Sequence, residues 1–140
     1  MLKKIIIYWL AKCLSRTEKA LSGISLPDAG QILFISKSIG TVAATAFAKQ
    51  HSVPARQLLF TPLADINRYV EDGNGLVFYG SGDSFADPDV IADICAARHL
   101  EAHCIEGANH SLETGHVASG LKNLRRVMDR VEAEIAAKGI

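Results

Sequence analysis

Several common sequence signals are missing from this chain of 140 residues. Its cysteines number only three (Cys13, Cys95 and Cys104), and they form neither a CxxC motif nor a metal-binding spacing with histidine. Such a set is typical of small buried side chains in a reducing compartment, so we expect a cytoplasmic protein without a metal. Fifteen basic and fifteen acidic residues cancel, which argues against nucleic acid as a partner. No strand-like segment leads into GxGxxG, GxxxxGKS or GxxxxGKT, so we expect no nucleotide cofactor.

Long hydrophobic runs are also missing, since crossing a bilayer takes about 20 apolar residues. Two lysines before the apolar run 5–11 imitate a short signal peptide, but Lys12 interrupts the run and no small-x-small cleavage site follows. We therefore expect neither export nor a membrane partner. The pattern instead predicts a first strand over residues 4–8, a helix over residues 9–21 and a loop that includes residues 27–30.

What the sequence does contain is a high apolar content, 49%, in a chain of a length suited to one domain. We expect residues 1–140 to form that single domain. Strand-like segments alternate with helix-like ones, which predicts an α/β fold: a three-layer sandwich around a parallel sheet of about five strands. A flavodoxin-like doubly wound sheet is the alternative. The later predicted strands are centred on residues 32–35, 56–61, 76–79 and 99–105.

The segment 31–50 carries the most specific pattern. An apolar run leads into Ser36-Lys37-Ser38-Ile39-Gly40, and a helix rich in alanine follows at once. This predicts a strand, a very tight turn and a helix, with Ser38 at the apex in a strained backbone conformation. Small residues two positions before and after Ser38 let the strand and the helix approach each other. The alternative is an ordinary turn whose serine only caps the helix.

An activated serine needs a base, and the base needs an acid to orient it. Asp83 follows the strand-like part of segment 75–88, in Gly80-Ser81-Gly82-Asp83, at the strand end where parallel sheets present functional groups. Its rival Asp87 precedes a proline at a helix start, which favours a role as N-cap.

The candidate base is His110, which comes after the last predicted strand in segment 99–112. Its rival is His116, at the start of a final helix that runs to about Lys138. The apolar residues of that helix recur every three or four positions, so we expect all of them to pack on the sheet. They are Val117, Leu121, Leu124, Val127, Met128, Val131 and Ile135.

The segments SKSIGT, YGSGDSFADP and EGANHSLE resemble the C-terminal half of an α/β-hydrolase superfamily member. The resemblance extends from Gln31 to the end, about four-fifths of the chain, and the order nucleophile, acid, base matches that fold. It implies a serine hydrolase acting on a small-molecule ester, thioester or amide without a cofactor. Ser38 would be the nucleophile, His110 the base and Asp83 the acid, with the backbone N–H of Ile39 as an oxyanion donor.

The chain also departs from that superfamily, in which several strands precede the turn that carries the serine. An early loop there supplies a second oxyanion N–H, and no His-Gly-Gly-type loop precedes Gln31 here. One hypothesis is that the natural gene starts further upstream. A second hypothesis is a weakly active or inactive hydrolase-like scaffold that serves as an interaction module and forms a homodimer through an exposed sheet edge.

Overall fold

The computed structural model describes residues 2–26 and 31–139, and for residues 2–9 it gives the backbone alone. The described part has four strands in one sheet, all parallel, in the order β1-β2-β3-β4. The predicted α/β class with a parallel sheet is therefore confirmed. The elements are α1 (Leu2–Leu21), β1 (Ile32–Lys37), α2 (Ile39–Gln50), β2 (Ala55–Phe60), a short 3-10 helix (Ala64–Arg68), β3 (Leu76–Gly80), α3 (Pro88–Ala97), β4 (Glu101–Ile105) and α4 (Val117–Lys138).

Helices cover both faces of this sheet, as a parallel sheet requires. Strand residues such as Leu59 and Val77 pack towards α2 and α3 on one face, where α1 also lies against α2. Their neighbours Leu58 and Phe78 point to the other face and pack against α4. These four side chains on β2 and β3 are at most 1% exposed, because each packs in one of the two layers.

The first predicted strand is wrong, because residues 4–8 belong to helix α1. The β-branched run in this segment favours a strand locally, but a short apolar run cannot be assigned by periodicity alone. Here it continues into the predicted helix 9–21 as one element, so the described sheet has four strands instead of about five. The predicted loop at 27–30 lies outside the described residues. Within the described ranges, no helix combines the length and the apolar content needed to cross a bilayer.

Helix α4 is only partly covered, which corrects the prediction that its whole apolar stripe packs on the sheet. Val127, Val131 and Ile135 do pack there, because the C-terminal part of α4 lies over the strands. The N-terminal part borders an open groove of about 620 Å³ instead. Its apolar residues stay exposed, with exposed fractions of 82% for Val117, 63% for Leu121, 57% for Leu124 and 47% for Met128.

Candidate active site

Ser38 occupies the tight turn between β1 and α2. Its backbone has φ 54° and ψ −128°, a combination that side-chain-bearing residues rarely adopt and that costs about 1–3 kcal/mol. A Cβ placed on Gly40 would lie 4.0 Å from the Cβ of Ser36. Larger side chains at these two positions would push strand and helix apart, so the small residues explain how the chain can make this turn.

The Ser38 side chain does not cap α2, since it makes no hydrogen bond to the helix N-terminus. Its Oγ lies 2.7 Å from Nε2 of His110, and Nδ1 of the same ring lies 2.7 Å from Oδ2 of Asp83. An ionised carboxylate only accepts hydrogen bonds, so Nδ1 carries a proton when Asp83 is charged. In the neutral ring Nε2 then accepts from the serine hydroxyl. The structure thus brings the three predicted side chains into one row.

Asp83 is held in its charged form. Burial raises the pKa of this carboxyl, but hydrogen bonds from His110 and from the amides of Phe85 and Ala86 outweigh it and hold the pKa below its ordinary value. The two amides donate to Oδ1 at 2.8 and 3.2 Å, which leaves Oδ2 for His110. The Asp83 side chain is 2% exposed and that of His110 is 17% exposed. Both groups are therefore screened from water by the protein.

The loops that carry Asp83 and His110 are joined to each other. Gly82 N donates to Ala108 O at 2.9 Å, and Ser81 Oγ accepts from Gly107 N at 2.8 Å. The closest approach is at Gly80, where an added Cβ would lie 2.0 Å from the carbonyl oxygen of Ala108. Glycine at position 80 thus allows β3 to end directly against the loop that carries His110.

Two further residues hold His110 in place, and neither role is predicted from the sequence. Lys37 Nζ donates to the carbonyl oxygen of His110 at 2.9 Å, which links the strand before Ser38 to the histidine loop. Asn109 Oδ1 accepts from the amides of Ser111 and Glu113 at 2.8 and 3.1 Å and so closes the turn after the histidine. An asparagine that accepts from an amide two residues later is a known turn signal. The Lys37 contact has no such local signal, because it joins residues 73 positions apart.

The two alternative candidates, Asp87 and His116, lie outside the row formed by Ser38, His110 and Asp83. Asp87 caps α3, where its Oδ1 accepts from the amide of Asp89 at 3.0 Å. His116 occupies the N-cap position of α4. Within the described ranges, no three side chains among histidine, cysteine, aspartate and glutamate are grouped to hold a metal ion.

No protein-family model matches the chain, and no curated protein matches it. Solved structures match it in fold. An α/β serine hydrolase without a lid from Xanthomonas campestris superposes with a TM-score of 0.51 at 16% identity, over 59% of this chain and 39% of that one. A protein of unknown function from Agrobacterium tumefaciens, a candidate α/β hydrolase, superposes with a TM-score of 0.63 at 18% identity. The alignment covers 86% of this chain and 61% of that one. A candidate YdeN-like hydrolase from Pectobacterium atrosepticum superposes with a TM-score of 0.58 at 20% identity. The alignment covers 82% of this chain and 66% of that one.

These likenesses show that the chain has the fold of α/β hydrolases. The aligned part spans less than two thirds of the length of each of the three proteins, since the largest share is 66%. At 16–20% identity the likeness concerns the fold, so the chemistry of this chain has to be argued from its own residues.

Proposed function

We propose that this protein is a serine hydrolase that cleaves a carboxylic ester, thioester or amide through an acyl-enzyme. The observation that carries the proposal is the row Ser38–His110–Asp83, with both contacts at 2.7 Å. Each residue lies on the loop that follows a different strand of one parallel sheet. A hydroxyl, an imidazole and a carboxylate in this arrangement are what nucleophilic acyl transfer requires.

In the proposed reaction Ser38 Oγ attacks the substrate carbonyl carbon while Nε2 of His110 takes the hydroxyl proton. Asp83, held charged by its hydrogen bonds, stabilises the imidazolium that forms. When the tetrahedral intermediate collapses, the bond to the leaving oxygen, sulfur or nitrogen breaks and His110 gives its proton to that atom. Water then attacks the acyl-serine with His110 again as the base, and the carboxylic acid is released.

The backbone N–H of Ile39 is the proposed donor to the oxyanion. Ile39 is the first residue of α2, and the first N–H groups of a helix have no acceptor inside the helix. The resemblance implies a second donor on a loop for which this sequence has no counterpart. Loss of one such donor lowers the rate by roughly a hundred- to a thousand-fold.

A fluorophosphonate probe tests the proposal, because it phosphonylates only an activated serine and releases fluoride. We expect the wild-type chain to be labelled and Ser38→Ala to stay unlabelled. Ser36→Ala is the matched control, since Ser36 lies on the strand before the turn and should not affect labelling. Equal labelling of wild type and Ser38→Ala, or none of either, would reject the proposal.

The second candidate is a weakly active or inactive scaffold that binds a copy of itself, and one observation favours it. β1 is an edge strand of the described sheet, and its Ile35 side chain is 64% exposed. An open strand edge invites pairing with another chain. This candidate predicts a dimer in light scattering and weak labelling by the probe or none.

A further inference from the structure

An aromatic side chain lies against the imidazole ring of the candidate base, His110. The ring of Phe85 contacts the ring of His110, with the two centroids 4.9 Å apart and the planes tilted by 41°. Phe85 is nevertheless 78% exposed. Part of the phenyl ring therefore contacts the imidazole, and most of its surface is open to solvent.

The position of Phe85 is fixed by the loop that holds Asp83. The amide of Phe85 donates to Oδ1 of Asp83 at 2.8 Å, while Oδ2 of the same carboxylate accepts from His110. The amide of Gly82, one residue before Asp83, donates a hydrogen bond to the carbonyl oxygen of Ala108, in the loop that carries His110. Hydrogen bonds thus join the loop that carries Phe85 to the loop that carries His110, the residue whose ring it contacts.

This inference rests on the proposed function. In that reaction His110 returns its proton to the leaving atom, so the leaving group must lie against the imidazole when the bond breaks. The rest of the leaving group, beyond that atom, then lies beside the side chains that surround the imidazole. Phe85 is one of these side chains. We propose that Phe85 is a specificity-determining residue that binds the leaving-group side of the substrate and favours esters of an apolar or aromatic alcohol.

The test compares two acetates whose alcohols are of similar acidity, benzyl acetate and methyl acetate. Both give the same acetyl-enzyme, and kcat/KM reports its formation. In Phe85→Ala we expect kcat/KM for benzyl acetate to fall about 5-fold, the size expected for one lost aromatic pair, while the value for methyl acetate stays within about 2-fold. Phe85→Leu should lie between the two, because it keeps apolar surface without the ring.

A structural role for Phe85 would give a different result. If the phenyl ring only held His110 in place, Phe85→Ala would slow both acetates equally and would also slow labelling by the fluorophosphonate, whose leaving group is only fluoride. Either result overturns the inference. Val90→Ala is the control for loss of an exposed apolar side chain, since Val90 on α3 is 42% exposed, and it should leave the benzyl-to-methyl ratio unchanged.

The inference and the proposed function fail in distinguishable ways. If the wild-type chain is not labelled at Ser38, the proposed function fails and this inference fails with it. If the wild-type chain is labelled and the benzyl-to-methyl ratio is the same in wild type and Phe85→Ala, only the inference about Phe85 fails.

Discussion

Among the described residues, the two shortest histidine–carboxylate contacts are of nearly equal length, and they have different surroundings. His110 and Asp83 are 2.7 Å apart, and His103 and Glu101 are 2.8 Å apart. The first pair is buried, with 17% and 2% of its side chains exposed, whereas the second has 37% and 44% exposed. A short contact between these residue types therefore does not by itself identify a reactive histidine.

The other partners of each carboxylate explain the contrast. Asp83 accepts otherwise from two uncharged backbone amides, so its negative charge remains available to an imidazolium. Glu101 instead accepts two hydrogen bonds from the Arg130 guanidinium, which already balances its charge. Only the Asp83 pair has a hydroxyl on the far side of the imidazole. His103 stacks on Phe78, with centroids 5.3 Å apart, on the surface of the sheet.

The difference between the two pairs is tested most directly by neutralising each carboxylate in turn. Asp83→Asn keeps the acceptor for the Phe85 and Ala86 amides but turns an N–H towards Nδ1 of His110. The ring must then carry its proton on Nε2, where it cannot take the proton of Ser38. We expect the rate of fluorophosphonate labelling to fall by up to about 10,000-fold.

Glu101→Gln is the matched control and should label within about 2-fold of wild type. If Asp83→Asn labels at the wild-type rate, or Glu101→Gln loses labelling, the two pairs do not differ as their surroundings indicate. Circular dichroism of both variants separates loss of chemistry from loss of the fold.

The second prediction concerns the contact that joins the two loops of the buried pair. Gly80→Ala places a Cβ 2.0 Å from the carbonyl oxygen of Ala108, so the loop that carries His110 has to shift. We expect a loss of about 3 kcal/mol in the free energy of unfolding, together with loss of labelling. Urea unfolding measures the first and the probe measures the second.

The same substitution at Gly120 should act in the opposite direction. Gly120 lies inside helix α4, and the nearest atom that an added Cβ would meet beyond the helix's own backbone is Oγ1 of Thr114, at 3.8 Å. Alanine should stabilise the helix by about 0.5–1 kcal/mol and leave labelling unchanged. A Gly80→Ala variant as stable and as reactive as wild type would contradict the described contact between the loops.

Much of the candidate site was predictable because its signals are local. A small residue is needed on each side of Ser38, glycines are needed around Gly80, and each candidate residue follows a strand-like run. Because the strands are parallel, the loops that follow them lie at the same end of the sheet, so the three candidate residues are expected to meet there. Asn109 carries a turn signal of the same local kind.

What could not be predicted depends on contacts between distant segments. The apolar run at residues 4–8 is compatible with a strand or a helix, and the sequence does not say which element will lie beside it. The periodicity of α4 predicts an apolar stripe but not the surface available to cover it, so the exposure of Leu121 and Leu124 was missed. Lys37 reaches His110 and Arg130 reaches Glu101 through long side chains that leave no spacing pattern.

The exposed pair also predicts a modest dependence of stability on pH. The hydrogen bonds from Arg130, and then from His103, lower the pKa of Glu101 from 4.5 to about 2. Because the pKa is lower in the folded chain, the charged carboxylate stabilises the fold above about pH 4.5. That stabilisation is lost as the pH falls towards 2. Since Glu101 is 44% exposed, screening limits the effect to about 1 kcal/mol.

The measurement is the difference in unfolding free energy between wild type and Glu101→Gln at pH 7 and at pH 3. We expect a difference of about 1 kcal/mol at pH 7 that shrinks in acid. The lowered pKa of Asp83 contributes equally to both proteins and cancels in the difference. Glu132→Gln, on the exposed side of α4, is the control and should change stability by less than about 0.5 kcal/mol. A difference that grows in acid would mean that Arg130 does not stabilise charged Glu101. It would contradict the explanation that Arg130 balances the charge of Glu101, whereas no cation does so for Asp83 until His110 is protonated.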